Sequence, residues 1–588
     1  MPTTIPALLH ATEKEHGSRP AMRWKRDGAW QAATWKEYAR DARRVARALI
    51  GLGVRPGQSV VVMGWNRPEW FLASVGAMHA GAVPVGVYTT IAPDQVRYIA
   101  DHCEAVVAVV ENEAHLELFQ GLRPDLPHLK ALVVMEGVPS SRDVHAWDDF
   151  LRLGDGVPDA MVDDRLASQK EGDLATLIYT SGTTGPPKAV MISHRNVIWL
   201  VEAGAPPLRL THEDQFLSYL PLSHIAEQWN SMYLPMTCGG CTWFAESLEK
   251  LPENLREARP TLFFGVPRVW EKIQARIQAA GAQASPLRRL VASWARAKGL
   301  AGGYALQAGR APPALYGVAE RLVFAKVRER LGLDRARHCV TSAAPISLGT
   351  LEFFLSLGIP ILEVYGMSEC TGPTTLSLNE RLRTGRAGVA IPGSELKLAP
   401  DGEIWMRGPH VFLGYLKDPV GTAETVDADG WIHSGDIGEI DADGFLRVTD
   451  RKKEILITSG GKNIAPAPIE ARLKAVPGVA QAVLIGDERH YVTALLTLDP
   501  ERVAEVAARV GSPARDVAAA RDCSVFRQYL EREIAQICEG LARYEWIRKF
   551  AILPGELTVA GGELTPTMKL KRAVIREKYA AEIERLYA

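Results

Sequence analysis

Short apolar runs alternate with amphipathic stretches along the first 135 residues, and this alternation constrains the fold more than any other feature of the sequence. Residues 36–51 place apolar side chains at helical spacing, with arginines on the opposite face. Apolar runs at 59–64, 106–110 and 132–135 have the length and composition of buried strands. Strands separated by helices form βαβ units, which build mostly parallel sheets covered on both faces. We therefore predict a large α/β domain.

The alternation resumes over residues 174–365, and ligands of such sheets bind at the carboxyl ends of the strands. After this section, apolar and polar residues alternate around Asp-Gly pairs at 401–402 and 443–444, which is typical of β-hairpins. This pattern predicts a small antiparallel, β-barrel-like region over residues 385–449.

A third pattern begins after Arg451. Its predicted elements are a helix at 466–476, strands at 479–485 and 491–498, a helix at 526–543 and a final helix from 571. Elements mixed in this way form a compact α+β domain. We predict an N-terminal domain at 1–449, a hinge at 450–453 and a smaller, mobile C-terminal domain at 454–588.

The charge balance and the cysteine content narrow the class of protein. The chain has 68 Lys and Arg against 69 Asp and Glu, so no overall positive field would attract nucleic acid. Residues 70–93 lack charged side chains, but their sequence predicts a buried helix at 70–80 and a core strand at 83–88 rather than a membrane span. The N-terminus does not read as a signal peptide, and seven cysteines without a disulfide pattern suit a reducing compartment. We expect a cytoplasmic protein.

The segment 179–188, which reads YTSGTTGPPK, carries the strongest chemical signal. It follows a strand-like run and precedes a predicted helix near His194, so it lies where parallel sheets bind ligands. Glycines and hydroxyl groups let backbone N–H groups approach an anion, and Lys188 adds a positive charge. Lys188 is followed by Ala189, so the order differs from a Walker A loop. We predict a polyphosphate cradle made of Thr180, Ser181, Gly182, Thr183, Thr184, Gly185 and Lys188.

This segment resembles the signature of the adenylate-forming (ANL) superfamily. Seven further segments resemble that superfamily in the same order: 219–228, 265–272, 342–346, 365–369, 431–436, 450–466 and 564–572. The forms GVPRVWEK and DRKKEI…SGGKNIAP look most like long-chain fatty acyl-CoA synthetases, and YTSGTTGPPKAVMISHRN is similar to their bubblegum-type branch.

The resemblance implies a two-step reaction in lipid metabolism. A fatty acid and ATP form acyl-AMP and pyrophosphate with Mg²⁺, and coenzyme A then displaces AMP. Two alternatives stay open: an acyl-AMP ligase that loads a carrier protein, and a non-catalytic relative that binds acyl groups or nucleotides.

Three residues take catalytic roles by this resemblance. Lys569 matches the lysine that bridges the carboxylate and the α-phosphate, whereas its neighbours Lys571 and Arg572 are expected to be solvated surface cations. Glu369 matches the carboxylate that holds magnesium. His224 matches a gating or orienting group near the reacting carboxylate, although a lone histidine also suits plain packing.

The remaining roles follow from the same matching. The nucleotide would be bound by Ala343, Ala344, Tyr365, Gly366, Ser368, Asp436 and Arg451. Lys453 matches the hinge, and Gly460 and Gly461 would let the backbone approach coenzyme A. The acyl chain would contact Trp229, Gly265 and Val266, though aromatic residues beside a core strand also suit simple packing.

Residues 286–298 form a basic amphipathic stretch that matches no catalytic motif. Its polar side suits a solvated helix face, and it also suits peripheral contact with anionic lipid at the inner face of the membrane. The sequence leaves that contact open, together with pairing of two copies as a homodimer.

Overall fold

Both sections with alternating periods form large sheets in a computed structural model that describes residues 2–180, 186–565 and 569–588. The chain divides into two units. The first unit consists of Met1–Ser342, Phe353–Leu396 and Met406–His433, and the second of Ala343–Glu352, Lys397–Trp405 and Ser434–Ala588. The prediction of a mixed α/β fold with a large N-terminal and a smaller C-terminal part is confirmed.

An eight-stranded sheet contains the first run of predicted strands. Its strands, in spatial order, are Gly414–Tyr415, Lys188–Ser193, Leu174–Thr180, Val83–Val87, Ser59–Met63, Val107–Val110, Ala131–Val134 and Val144–Ala146. The strands from Leu174–Thr180 onward pair in parallel, and the predicted runs at 59–64, 106–110 and 132–135 are confirmed. Lys188–Ser193 was not predicted as a strand, and it pairs antiparallel with Leu174–Thr180.

A nine-stranded sheet contains the second run of predicted strands. Its spatial order is Val389–Ala390, Gly372–Leu376, Ile361–Met367, His338–Thr341, Leu262–Phe264, Gln215–Ser218, Cys241–Phe244, Pro20–Arg26 and Ala29–Thr34. Its central strands are parallel, and antiparallel pairs stand at both edges.

Helices connect these strands. Those of the first unit are Ile5–His16, Trp35–Gly51, Pro68–His79, Pro93–His102, Glu113–Leu122, Trp147–Arg152, Asp159–Ser168, His194–Leu208, Ile225–Gln228, Leu234–Cys238, Leu251–Ala258, Pro267–Ala282, Pro286–Gln307, Tyr316–Ala319, Ala325–Leu331 and Pro419–Thr425; Leu348–Leu355 crosses between the units. The helix Trp35–Gly51 begins where Thr34 and Glu37 form a capping box. It packs closely on Pro68–His79 at Gly76, where a Cβ would lie only 2.4 Å from Val45 Cγ1.

The second unit contains a three-stranded sheet of Val479–Ile485, Val492–Leu498 and Ile547–Ile552, and a short pair, Leu456–Ile457 with Asn463–Ile464. Its helices are Pro466–Lys474, Val503–Arg509, Val517–Asp522, Ser524–Glu539, Arg572–Lys578 and Ala580–Tyr587. Two apolar clusters form its core: one includes Leu484, Leu496 and Phe526, and the other includes Val483 and Leu495. The predicted helices and strands are confirmed, except that the final helix is interrupted at Tyr579.

Strands of the predicted hairpin region form a four-stranded sheet in the order Glu395–Leu398, Glu403–Arg407, Ile432–Ile440 and Leu446–Arg451. Both Asp-Gly pairs occupy turns, and Gly402 and Gly444 each have a φ of +84°. The left-handed conformation there favours glycine, which explains why these pairs predicted the turns correctly.

The uncharged window at 70–93 forms the helix Pro68–His79 and the strand Val83–Val87, as predicted. Within the described ranges, no helix has both the length and the hydropathy that crossing a membrane requires.

The buried helix end at His79 makes stability depend on pH. Burial lowers the pKa of His79 to about 3, and its Nδ1 lies 2.8 Å from the carbonyl oxygen of Val75. The imidazole of His79 is therefore protonated near pH 6.5 in the unfolded chain but only near pH 3 in the folded chain. Because the unfolded state binds the proton more tightly, stability falls as the pH drops from about 6.5 towards 3. Between roughly pH 7 and pH 5, His79 should lower the free energy of unfolding of the wild type by about 2 kcal/mol. We expect His79→Met not to show this loss in urea unfolding.

The exposed His128 provides a matched control, since His128→Gln should follow the wild-type pH dependence. An unchanged pH dependence in His79→Met would contradict this account.

Candidate active site

The two ends of the predicted phosphate cradle lie on two paired antiparallel strands. Thr180 ends the strand Leu174–Thr180 and pairs with Lys188, which begins the next strand. This pairing holds both ends of the glycine-rich loop together at a strand end. The loop residues Ser181, Gly182, Thr183, Thr184 and Gly185 lie outside the described residues.

The Lys188 side chain is held by two residues of a later segment. Its Nζ lies 3.2 Å from Asp418 Oδ2 and 4.5 Å from the ring centroid of Tyr415. The backbone N–H of Gly421 and the Lys188 ammonium both lower the pKa of Asp418, which keeps this carboxylate ionised. The lysine is therefore positioned by one opposite charge and one aromatic face.

The Tyr415 hydroxyl connects this lysine to Glu369. Glu369 lies in a turn, Ser368–Cys370, directly after the strand Ile361–Met367, and only 7% of it is exposed. Its Oε1 accepts a hydrogen bond of 2.7 Å from the Tyr415 hydroxyl. Burial and the Glu369 charge raise the pKa of Tyr415, so the phenol remains a donor. One side chain thus contacts both Lys188 and Glu369.

The sequence did not reveal Tyr415 or Asp418. The only local signals were a Gly-Tyr pair and an Asp-Pro helix start, where Asp418 accepts from Gly421 N at 2.8 Å. Neither signal identifies a distant partner. Pairing of Gly414–Tyr415 with the strand Lys188–Ser193 brings them to the lysine.

The environment of Glu369 fits a magnesium ion that arrives with a nucleotide. Mg²⁺ keeps several waters and usually takes one or two protein carboxylates together with substrate phosphates. Glu369 offers one buried carboxylate near a lysine, and no group of three or more His, Cys, Asp or Glu side chains in the described chain forms a metal cage. Glu369 would hold the ion, which would supply charge neutralisation for phosphate oxygens.

Three predicted nucleotide residues lie beside Glu369 in the chain. Tyr365 and Ser368 are buried. Gly366 allows a close backbone approach, because a Cβ there would lie 1.9 Å from the carbonyl oxygen of Gly372. These residues therefore lie on the same strand end and turn as the candidate metal ligand.

The segment 342–344 also departs from ordinary geometry. Ala343 has a φ of +73°, in the left-handed region that non-glycine residues rarely adopt. The preceding Ser342 donates a hydrogen bond of 2.8 Å from Oγ to the carbonyl oxygen of Val364. Ala343 and Ala344 belong to the second unit, whereas Tyr365 belongs to the first.

Two further predicted nucleotide residues face each other in the second unit. Asp436 and Arg451 are directly paired on neighbouring antiparallel strands, and Arg451 Nε lies 3.3 Å from Asp436 Oδ1. The Asp436 side chain is 12% exposed, whereas that of Arg451 is 45% exposed. The pair presents an acceptor and a donor side by side, which suits the hydroxyl groups of a ribose.

The predicted hinge and coenzyme A residues lie in exposed turns. Lys453 is in the short helical turn Lys452–Glu454. Gly461 has a φ of +72° and donates from its N–H to the carbonyl oxygen of Thr458, at 2.8 Å. Gly460 precedes it and is exposed as well.

Lys569 lies at the end of a loop that is closed by hydrogen bonds. Its N–H donates to Thr565 Oγ1 at 3.0 Å, and Thr565 N–H donates to the Lys569 carbonyl oxygen at 2.8 Å. Residues 566–568 are outside the described part of the chain.

The expectation that Arg572 is a solvated cation is wrong. Its side chain is 12% exposed and forms two hydrogen bonds to Glu470, of 2.8 and 2.6 Å, and one to Glu454, of 3.2 Å. Burial would lower the pKa of Arg572, but the two glutamates outweigh it and raise the pKa. Local sequence suggested solvent exposure because the partners lie far away in the chain. Arg572 therefore connects the segment after Lys569 to the turn that contains Lys453.

His224 caps the helix Ile225–Gln228. Its Nδ1 accepts a hydrogen bond of 3.1 Å from Ala226 N–H, so the neutral ring carries its proton on Nε2. Trp229 begins a π-helical turn, Trp229–Tyr233, and packs near Gly204, where a Cβ would lie 3.3 Å from its ring.

The other two predicted acyl residues lie on a different strand end. A Cβ at Gly265 would lie 2.8 Å from Trp270 Nε1, and Val266 precedes the helix Pro267–Ala282. Gly265 thus packs against Trp270, whereas Trp229 packs against Gly204.

Glu227, which the sequence analysis did not single out, forms a buried polar cluster next to His224 in the chain. Its Oε1 accepts hydrogen bonds of 2.7 Å from both Ser218 and Ser231. Burial raises the pKa of Glu227 to about 8, so this acid is mostly protonated at neutral pH. The order Ser-His-Ile-Ala-Glu was the available signal for this cluster in the sequence, but it does not distinguish a buried glutamate from an exposed one.

The buried Arg572 generates a stability prediction. Arg572→Met leaves two acidic side chains without their cation, and breaking a buried ion pair in this way costs about 3 kcal/mol. We expect a loss of that size in urea unfolding of the second unit. The double variant Arg572→Met/Glu470→Met should recover part of it.

Lys571→Met tests a neighbouring cation and should change stability little. Equal stability of Arg572→Met and wild type would show that the ion pair does not hold this unit together.

Comparison with known proteins identifies the family of the chain. The family model described as AMP-binding enzyme matches residues 9–416, and that described as AMP-binding enzyme C-terminal domain matches residues 453–588. Long-chain-fatty-acid–CoA ligase ACSBG2 of Xenopus laevis is 41% identical, and the match covers 100% of this chain and 84% of that protein. The human ligase ACSBG1 is 38% identical over 100% of this chain and 86% of its own length.

Solved structures show the same fold. The adenylation domain of a carboxylate reductase from Mycobacterium chelonae aligns with a TM-score of 0.79 at 22% identity, covering 99% of this chain and 91% of that one. ATP-bound MatB from Rhodopseudomonas palustris aligns with a TM-score of 0.71 at 21% identity, covering 98% and 99%. The resemblance found in the sequence motifs is confirmed, and the chain belongs to the AMP-binding enzyme family.

Proposed function

We propose that the protein is an AMP-forming long-chain fatty acid–CoA ligase that uses ATP, Mg²⁺ and coenzyme A. The observation that carries the proposal is the Tyr415 side chain, which contacts Lys188 through its ring and Glu369 through its hydroxyl. This double contact supports the roles of Lys188 as the cation that binds phosphate and of Glu369 as the carboxylate that holds the metal. The relatives that match over the whole chain are long-chain-fatty-acid–CoA ligases, and they supply the substrate class.

In the first step, a carboxylate oxygen of the fatty acid attacks the α-phosphorus of ATP. A carbon–oxygen–phosphorus link forms, the bond between the α- and β-phosphates breaks, and pyrophosphate leaves with its charge. Lys188 would bind the departing phosphates, and Glu369 would hold the Mg²⁺ that neutralises them. Lys569 would bind both the carboxylate and the α-phosphate, which brings two anions into reach of each other.

The nucleotide would be held at both ends. Tyr365 would stack on adenine, with Gly366, Ser368, Ala343 and Ala344 around it. Asp436 would accept hydrogen bonds from the ribose hydroxyls, and Arg451 would add a second contact. The distance of 3.3 Å between Arg451 Nε and Asp436 Oδ1 supports a ligand that both side chains contact. The loop residues Ser181, Gly182, Thr183, Thr184 and Gly185 would donate backbone N–H groups to the phosphates.

In the second step, the thiol sulfur of coenzyme A attacks the acyl carbon, and AMP leaves. We assign the hinge to residues 450–453 between domains at 1–449 and 454–588, with Lys453 as the pivot and Gly460 and Gly461 next to the pantetheine arm. The ion pair of Arg572 with Glu454 supports this assignment, because it fixes the Lys569 segment to the turn beside the pivot.

The acyl chain would lie near His224, Trp229, Gly265 and Val266. The Nε2 proton of His224 makes it a hydrogen-bond donor, which suits orienting a carboxylate. We place the protein in the cytoplasm, with peripheral contact at the inner face of the membrane and homodimer formation as further parts of the proposal. Seven free cysteines in the described chain support a reducing compartment.

Lys569→Ala tests the adenylation role. It should abolish fatty-acid-dependent exchange between ATP and pyrophosphate, because the cation between the two anions is lost. Formation of acyl-CoA from supplied acyl-AMP should persist. Lys571→Ala is the neighbouring control and should retain both half-reactions.

Exchange at the wild-type rate in Lys569→Ala would refute the assigned role. Product analysis with coenzyme A omitted and added separates the alternatives. A thioester that appears only on a carrier protein would favour the acyl-AMP ligase, and no exchange with any fatty acid would favour a non-catalytic binder.

Tyr415→Phe tests the link between the two phosphate-site residues. The ring under Lys188 is retained but the hydrogen bond to Glu369 is lost, and such a bond to a charged group contributes about 1.5 kcal/mol. We expect roughly a tenfold loss of kcat/KM for MgATP in the exchange assay. Tyr38→Phe is the matched control, since the buried Tyr38 hydroxyl has no hydrogen-bond partner among the described residues.

Equal kinetics in Tyr415→Phe and Tyr38→Phe would remove Tyr415 from the proposed site. A loss in Tyr415→Phe alone would support it.

A further inference from the structure

The helix Pro286–Gln307 exposes an apolar stripe at its N-terminal end. Leu287 is 71% exposed, Leu290 is 68% exposed and Val291 is 36% exposed. Their spacing of three and four residues places them on one face of the helix. Large apolar side chains this exposed are a sign of an interaction surface when they lie together.

The other end of the helix is anchored in the first unit by small residues. A Cβ at Gly299 would lie 2.0 Å from the carbonyl oxygen of Ser356, and a Cβ at Gly302 would lie 2.2 Å from the Tyr316 ring. Ala295 is fully buried in the same small apolar cluster. The contacts are confined to the C-terminal half, and residues 286–293 are exposed throughout. The exposed stripe is thus held on a fixed support.

A second apolar stripe lies on the segment that packs against this helix. Leu315, Val318 and Leu322 are 57%, 43% and 52% exposed. Gly302 meets Tyr316 while Gly299 meets Phe324, so the two segments run antiparallel. The exposed apolar residues therefore belong to two neighbouring helical segments.

The charge of this region is one-sided. Residues 272–319 contain seven Lys and Arg and no Asp or Glu, although the whole chain has a formal charge of −1. Arg288 and Arg289 are exposed, and they lie between Leu287 and Leu290 in the chain. Helical spacing places Arg288 beside the apolar stripe and Arg289 on the opposite face. An apolar stripe opposed by basic residues is the arrangement with which interfacial helices insert among anionic headgroups.

We propose that residues 286–322 form a docking face for an anionic lipid bilayer. Leu287, Leu290 and Val291 would enter the boundary between headgroups and acyl chains, while Arg288 and Arg289 would contact lipid phosphates. A second copy of this chain fits the face less well, because a two-fold contact would bring two basic surfaces together. An acidic protein as the partner would account for the arginines, but it would not account for the exposed leucines.

This docking face gives the proposed ligase access to its substrate. Long-chain fatty acids partition into membranes, so an enzyme held there meets a higher substrate concentration. The docking face assigns residues to the membrane contact of the proposed function, and only the benefit for substrate supply rests on the ligase activity.

The test uses the full-length protein and vesicle flotation without any substrate. Vesicles of phosphatidylcholine are compared with vesicles that contain about one quarter phosphatidylglycerol. We expect binding to the anionic vesicles at least about tenfold above the neutral ones, weakened in about 0.5 M salt. Leu287→Ser/Leu290→Ser and Arg288→Glu/Arg289→Glu should each lower binding at least about tenfold.

Matched controls come from exposed residues elsewhere in the first unit. Leu248→Ser/Val420→Ser removes two apolar side chains that are 55% and 68% exposed, and Arg26→Glu/Arg55→Glu reverses two exposed charges. Both should bind as wild type does. Circular dichroism melts of all variants check that each is folded.

Flotation equal to wild type in both docking-face variants would overturn the proposal, and so would absence of wild-type binding to anionic vesicles. A change from dimer to monomer in Leu287→Ser/Leu290→Ser with unchanged lipid binding would instead identify an interface between copies, which also overturns it. Flotation does not depend on catalysis, so failure of the ligase assignment would leave this result intact.

Discussion

The candidate site depends on one interaction, the double contact of the Tyr415 side chain. Its ring lies against the Lys188 ammonium while its hydroxyl donates to Glu369, so two strand ends from different sheets are held in fixed relation. Lys188 begins the second strand of the eight-stranded sheet, next to the edge strand that contains Tyr415, and Glu369 follows a strand of the nine-stranded sheet. Tyr415 is thus a common neighbour of the lysine and the carboxylate.

In the second unit, a charged side chain holds two segments together, as the Tyr415 side chain does in the first. Arg572 binds Glu470 in the helix Pro466–Lys474 and Glu454 in the turn that contains Lys453. A buried cation with two acidic partners has few alternative arrangements, because any displacement leaves an unpaired charge in an apolar setting. The segment that carries Lys569 is thereby fixed to the rest of its unit.

Periodicity predicted the regular elements well and the partners of side chains poorly. The strand Val479–Ile485 and the helix Trp35–Gly51 follow from spacing, because the pattern of apolar residues is set by which face is buried. The strand Lys188–Ser193 was missed, since its pairing depends on the neighbouring strand Leu174–Thr180 rather than on its own residues.

Some residues of the candidate site were predicted from the sequence, and others were not. Lys188 and Glu369 were found through motifs, but Tyr415 and Asp418 lie in a segment whose local sequence says nothing about which strand it joins. Arg572 looked solvated because its own neighbours are basic, whereas its acidic partners approach only after folding. Contacts between distant segments are decided by tertiary packing, which a single sequence does not display.

The absence of a side chain at Gly366 has a consequence for how this site can vary among related proteins. The carbonyl oxygen of Gly372 occupies the space that any β-carbon would need, at 1.9 Å. A larger residue could be accepted only if the returning strand Gly372–Leu376 moved away, and Glu369 lies in the bend between the two strands. Substitution of Gly366 would therefore also shift Glu369, so the proposed adenine wall and the proposed magnesium ligand cannot change independently of each other.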